Sequence, residues 1–250
     1  MTPPCTRTQS RFSANTSRGS SALNDDLAHL DADIVSCRAC ARLVEWRERV
    51  GREKRAAFRD DEYWARPITG FGDPDPWLVI IGLAPAAHGA NRTGRMFTGD
   101  RSADFLVAAM HRAGLASQAT SDRIDDGLTL IGCRMTAAVR CAPPANKPTP
   151  DEEHACRPFL LRELELCRNS RVLLALGAFA WQAALRVIDP PRPWPKFGHG
   201  AEATVGPYTL LGSYHPSQQN TFTGRLTTAM LDDVISRARQ IGLQPPATGS

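Results

Sequence analysis

The sequence contains no apolar run long enough to cross a bilayer, and its first residues lack the apolar centre of a secretory leader. Those two absences point to a soluble, cytoplasmic protein with no membrane partner. No internal repeat is visible, which excludes solenoids and propellers. Neither sign of charge dominates: 30 Lys and Arg stand against 26 Asp and Glu, a net charge of +4. That mild excess is compatible with a polyanionic partner but does not specify one. A disulfide framework is not expected in a reducing compartment, so the seven cysteines are read by their spacing instead.

What is there fits one core, with 250 residues and 42% hydrophobic content. Residues 1–22 are rich in Ser, Thr and Arg without periodicity and read as a disordered arm; 23–241 read as a single domain and 242–250 as a flexible tail. A helix is expected from about Asn24 to Ser36, helix plus loop over 41–66, and a strand at 77–82. Then follow a helix from Ser102 to Gly114, a strand within Thr129–Val139, and a helix opened by Thr149-Pro150-Asp151-Glu152. A wholly apolar strand at Arg171–Leu176, a helix at Gly177–Val187, a strand at Tyr208–Ser213 and a helix over Arg225–Ile241 complete the pattern. Strands alternating with helices predict an α/β fold, a three-layer α/β/α sandwich around a central, mainly parallel four-stranded sheet.

Three loops follow three of these strands, and each holds polar groups that a core does not need: Gly82–Asp100, Arg140–Pro148 and Tyr214–Arg225. In a parallel sheet all three emerge on one edge and face one cleft. The small residues of the first loop let backbone N–H groups approach a ligand closely. Cys37-Arg-Ala-Cys40 and the wider pair Cys141 and Cys156 read as metal or cluster ligands, or as four unconnected small hydrophobes. Cys133 and Cys167 read as buried thiols.

The phrases Gly-Leu-Ala-Pro-Ala from Gly82, Asn-Arg-Thr-Gly-Arg-Met-Phe-Thr-Gly-Asp ending at Asp100, Cys-Ala-Pro-Pro-Ala-Asn-Lys-Pro from Cys141, and His-Pro-Ser from His215 together resemble the uracil-DNA glycosylase superfamily. The resemblance is closest to its broad-specificity family-five branch and covers about residues 34–240. It implies a monofunctional hydrolase of base excision repair that takes uracil and deaminated purines such as hypoxanthine from DNA, and flipping a base at one site needs only a monomer. It also implies a structural [4Fe–4S] cluster on Cys37, Cys40, Cys141 and Cys156. A non-catalytic iron–sulfur or zinc protein that binds nucleic acid is the alternative.

Cleaving an N-glycosidic bond develops positive charge on the sugar and negative charge on the departing base, and the nucleotide must first leave the duplex stack. Gly82, Leu83 and Ala84 would offer backbone donors to a base carbonyl; Phe97 would stack on the base or merely close the loop as core. His215 would donate to the base oxygen or be a satisfied structural residue. Asp100 would serve water or sugar, cap the helix that follows, or both. Asn146 would share the water or contact the nucleotide, or only form a turn between prolines. Arg92, Arg95, Lys147 and Arg225 would contact phosphates or stand as solvated surface, and Phe222, Arg225 or Leu226 would fill the gap left in the duplex. Stricter branches carry an acid where this chain has Leu83 and Ala84, and an Asn where it has Ala137, so the resemblance implies a permissive pocket. No Lys stands at a nucleophile position in the loops, which predicts hydrolysis without strand cleavage.

Overall fold

A computed structural model describes residues 25–243. The arm expected over 1–22, with Cys5, and the tail from 244 lie outside the described residues. The sheet has six strands rather than four: β1 (Phe71–Gly72), β2 (Leu78–Gly82), β3 (Cys133–Ala137), β4 (Val172–Leu176), β5 (Glu202–Val205) and β6 (Tyr208–Ser213), in the order β1-β3-β2-β4-β6-β5. The four expected strands are the inner ones and run parallel; β1 and β5 are antiparallel edges. Both edges are quiet in sequence. β1 has two residues, and in β5 only Val205 is buried, so neither carries the apolar run of an inner strand.

The alternation of side chains divides the core into two layers. Leu78 and Ile80 of β2 and Val172, Leu174 and Leu176 of β4 face one side, under α4 (Arg101–Arg112) and α8 (Thr228–Gly242). Val79, Ile81, Leu173 and Ala175 face the other, under α5 (Pro150–Leu166) and α6 (Ala178–Ile188), with α1 (Leu27–Ser36) against α5. Those inner strands are buried at every position, which the wholly apolar runs require.

β3 breaks the apolar rule for a reason. Its outward alternates toward α5 are Arg134 and Thr136, which bond Glu163 at 2.6 Å each, and Arg140 adds a third bond to the same carboxylate. Glu163 is fully buried. Burial alone would push its carboxyl up, but Arg140 and Arg134 outweigh that and hold it ionised, below the usual range. Removing one partner of such a buried group costs about 3–5 kcal/mol.

Caps set the helix limits. Thr149 opens α5 with a reciprocal capping box to Glu152, as its sequence predicts. α8 begins at Thr228 rather than near Arg225, because Thr227 caps it and Gly224 sits at φ +71. A short helix, α7 (Gln218–Phe222), occupies the loop before it.

Candidate active site and cysteine cavity

The parallel strands end together, with Gly82 opposite Ala137 and Leu176 opposite Ser213. The three predicted loops therefore leave the same edge. Gly82 and Leu83 carbonyls accept from Ala138 and Val139 N–H at 3.0 and 3.1 Å, which zips the first two loops together as they depart. The Leu83 and Ala84 N–H groups find no acceptor among the described residues. Gly82 has to be glycine because a Cβ there would lie 2.9 Å from Phe97 Cζ.

Phe97 itself has φ +47, a conformation that costs a non-glycine residue about 1 kcal/mol or more. The strain seats its ring, largely covered, 6.4 Å from the His215 imidazole with 35° between the planes. Loop one and loop three thus meet at these two rings. Three residues on, Asp100 caps α4: its Oδ1 accepts from Ser102 and Ala103 N–H at 2.8 and 3.0 Å. Its Oδ2 takes no hydrogen bond among the described residues and lies against Gly89, where no Cβ could fit. Burial raises the Asp100 carboxyl above its ordinary range, against the pull of the capping bonds. One oxygen is bonded into the helix start and the other has no hydrogen-bond partner among the described residues.

His215 follows β6. Asn220 Nδ2 donates to its carbonyl at 2.8 Å, and Gly177, at φ +94 just past β4, would place a Cβ 3.4 Å from its Cβ. The ring nitrogens bond no protein group among the described residues. Burial depresses the imidazole pKa to about 4, so it is neutral at ordinary pH and carries one N–H to donate. Next to it, Tyr214 N–H donates to His199 Nδ1 at 3.2 Å, and the Tyr214 ring packs on His199 and beneath the Arg225 guanidinium.

In the second loop Ala145 and Asn146 both adopt left-handed backbone, φ +53 and +56, with Asn146 and Lys147 exposed. Asparagine tolerates this conformation and alanine does not, so the turn is held rather than chosen. The holder is Arg42 of α2 (Ala41–Glu53). Its guanidinium grips Glu152 with two bonds of 2.7 and 2.6 Å and donates to the Lys147 carbonyl at 3.1 Å. Ala137 is fully covered, in the same apolar layer as Phe97, at the end of β3 opposite Gly82.

Three surface expectations are corrected. Arg95 is buried, bonded to Thr98, Ser121 and Asp126, and so is not available to a phosphate. Asp126 is partly desolvated, yet Arg95 and three backbone N–H groups hold its carboxyl far below the usual range. Arg92 is spent inside the loop on Asp61, His88 O and Gly99 O, over the Phe58 ring. Leu226 is core, so it cannot enter a duplex. Lys147 and Arg225 are exposed, as is Phe222 at 69%, and Arg101, which the sequence reading passed over, stands 5.7 Å above the Phe222 ring.

Cys37 ends α1, Cys40 opens α2, Cys141 starts the second loop and Cys156 lies nearly two turns into α5. All four line one cavity, with Leu43, Val44, Val139 and Phe159 as apolar wall. None forms a disulfide. Among the described residues no three metal-binding side chains converge on a single ion position; the sulfurs surround a space instead. Without an occupant, burial pushes the Cys141 thiol up to about 11 and Cys156 up to about 12, so an electropositive guest has to displace the protons. Backbone N–H of Arg140 already donates to Cys156 Sγ at 3.2 Å and the Arg47 guanidinium to Cys141 Sγ at 2.8 Å, the outer contacts a thiolate centre needs. The donor set fits an iron–sulfur cluster. By contrast Cys133 and Cys167 are buried apart from the cavity.

The sequence model of the Uracil DNA glycosylase superfamily matches residues 69–239. A type-5 uracil-DNA glycosylase from Mycobacterium tuberculosis is 55% identical over 218 residues, covering 86% of this chain and 81% of that one. The type-5 uracil-DNA glycosylase of Thermus thermophilus is 50% identical over 83% of this chain and 94% of its own. A type-4 uracil-DNA glycosylase from Thermotoga maritima is 34% identical over 60% of this chain and 69% of its own. With the three loops on one sheet edge and relatives matched over most of their length, this chain belongs to the uracil-DNA glycosylase superfamily, beside its type-5 members.

Proposed function

We propose that this glycosylase excises uracil and also deaminated purines from DNA, leaving an abasic site. The observation that carries the reading is the pairing of the Phe97 and His215 rings, from two loops, with a carboxylate three residues beyond Phe97 that keeps one oxygen unbonded among the described residues. An extruded base stacks on Phe97 and takes hydrogen bonds from backbone N–H at Leu83 and Ala84. His215, neutral, donates to the base oxygen that gains charge as the C1′–N bond lengthens. A preorganised donor of this kind is worth about 3–4 kcal/mol, so His215→Ala lowers single-turnover base release on the order of a hundredfold. The ionised Asp100 Oδ2 serves the opposite partner: it takes a proton from the attacking water or steadies the sugar cation. The water oxygen bonds C1′, the base departs with the electron pair of the broken bond, and no enzyme–sugar bond forms. Asn146 supports the water from the second loop.

Lys147, Arg225 and Arg101, all exposed, would supply positive charge to the DNA backbone, and Phe222, an exposed apolar side chain of the third loop, would fill the vacated stack. Cys37, Cys40, Cys141 and Cys156 hold a [4Fe–4S] cluster, which ties α1 and α2 to the second loop and α5. A single flipped nucleotide needs one copy of the chain.

Nothing polar in the site selects the uracil edge. Leu83 and Ala84 are apolar, and Ala137 makes no hydrogen-bond demand. Base release measured on duplexes carrying uracil, hypoxanthine or xanthine tests this. Wild type is expected to release uracil and at least one purine, and Ala137→Asn to lose purine release about tenfold more than uracil release. Uracil release alone by wild type removes the broad reading; release of no base from any duplex removes the catalytic one.

A further inference from the structure

The cysteine cavity has a feature that four thiols alone do not explain. Arg47 lies two helical turns beyond Cys40 on α2, so the same helix face presents it to the cavity. Its side chain is buried, with 1% exposure, and no Asp or Glu pairs with it among the described residues. Nη1 donates to Cys141 Sγ at 2.8 Å, Nη2 to the Cys37 carbonyl at 3.3 Å, and Nε is buried without a partner. The other cation on the cavity wall, Arg140, is ion-paired with Glu163, a carboxylate it shares with Arg134, and its Nε and Nη1 are buried without partners. A guanidinium stays charged in any protein, and burying one uncompensated costs several kcal/mol. A neutral thiol is a weak acceptor and supplies no counter-charge.

We infer that Arg47 is the counter-cation of the cluster site, bonding one thiolate ligand directly and fixing the peptide of another. This rests on the cluster reading above. A cluster held by four thiolates carries net negative charge, and positive charge with a hydrogen bond to sulfur stabilises it and raises its reduction potential. The cation that has no carboxylate partner thus gains one on loading, and Arg47 serves retention and potential of the cluster rather than the chemistry on the base.

The test uses protein purified without air. Iron and sulfide are counted, iron release to a chelator is timed by the visible absorbance, and the reduction potential is measured by film voltammetry for wild type, Arg47→Met and Arg47→Lys. Arg47→Met is expected to release iron about tenfold faster or more, the usual cost of losing an outer contact to a metal ligand, and to shift to lower potential. Arg47→Lys, which keeps the cation but loses the fork, is expected to shift the same way by less. Wild-type release rate and potential in Arg47→Met overturn the proposal, and Arg47→Gln, which keeps a hydrogen-bond donor without the charge, decides in the same way where Arg47→Met does not fold. Wild-type protein without iron and sulfide removes the cluster reading itself and Arg47's role with it; iron in wild type with no effect in the variants removes only Arg47.

Discussion

Asp100→Asn is expected to slow base release about a thousandfold while moving the melting temperature by only a few degrees. On the proposed mechanism the two oxygens of this carboxylate have separate jobs. Oδ1 holds the first turn of α4 through Ser102 and Ala103 N–H, and asparagine is an equally good cap, so the helix start survives. Oδ2 is the oxygen without a bond, and an amide NH2 in its place can neither accept a proton from water nor steady a cation. The pH profile carries the same signature. Burial raises the Asp100 pKa, so the active, ionised form is lost as pH falls through that raised value, and wild-type activity drops on the acid side with unit slope. Asp100→Asn lacks that limb. His215 adds none above about pH 4, since its neutral form persists to there. Stability moves in opposite senses for the two groups. The raised carboxyl favours folding at low pH and loses that contribution as pH rises. The depressed imidazole stabilises the fold above its unfolded pKa of about 6.5, and that is lost as pH falls toward about 4, by at most about 3 kcal/mol. Single-turnover release and thermal melts across pH separate these effects. A variant with wild-type rate at neutral pH would leave Asp100 with its cap alone.

The parts of the fold written in apolar runs and caps were readable from sequence. β2 and β4 are buried at every position, and Thr149 with Glu152 announces α5. The edges were not, because β1 is two residues long and β5 shows solvent two of its four side chains. At the candidate site, the residues that carry the proposal could be picked out by type and place: His215 after a strand, Asp100 before a helix, cysteines in pairs. Burial of charge was hidden. Arg92 and Arg95 stand in a loop, where sequence gives no sign that Asp61 and Asp126 will take them inside. Arg42 and Arg47 sit in the heavily charged stretch expected as helix plus loop, yet one holds the second loop and the other faces the cysteines. Only tertiary neighbours distinguish them. Gly177 has the same character: its φ of +94 and its approach to His215 are invisible without the fold.

The helix between the cysteines and the loops would give the proposed cluster a mechanical reach that a local staple would not have. α2 starts at Cys40 and carries Arg42, which grips Glu152 and the Lys147 carbonyl beside Asn146. Further along, the Arg47 carbonyl accepts from Asn91 Nδ2 at 3.3 Å, and Asn91 is a buried residue of the first loop whose own carbonyl takes Ala65 N–H. One helix therefore holds the strained turn of loop two and the middle of loop one. α2 has no large apolar face of its own for this: its buried positions are Leu43, Val44, Arg47 and Val50, two of them on the cavity wall beside Arg47. Replacing Cys37 and Cys40 together by serine is expected to abolish base release and to remove several kcal/mol of stability from α1 and α2, as loss of a structural metal centre does. Hydrogen exchange is the discriminating measurement. Amides of α1, α2 and the Arg140–Pro148 loop should lose protection, while those of β2, β4 and β6 keep it, since both apolar layers of the sheet are built without α2. Loss of protection spread evenly over the sheet would mean the cysteines support the whole fold. Full activity in the double variant would detach them from the active site altogether.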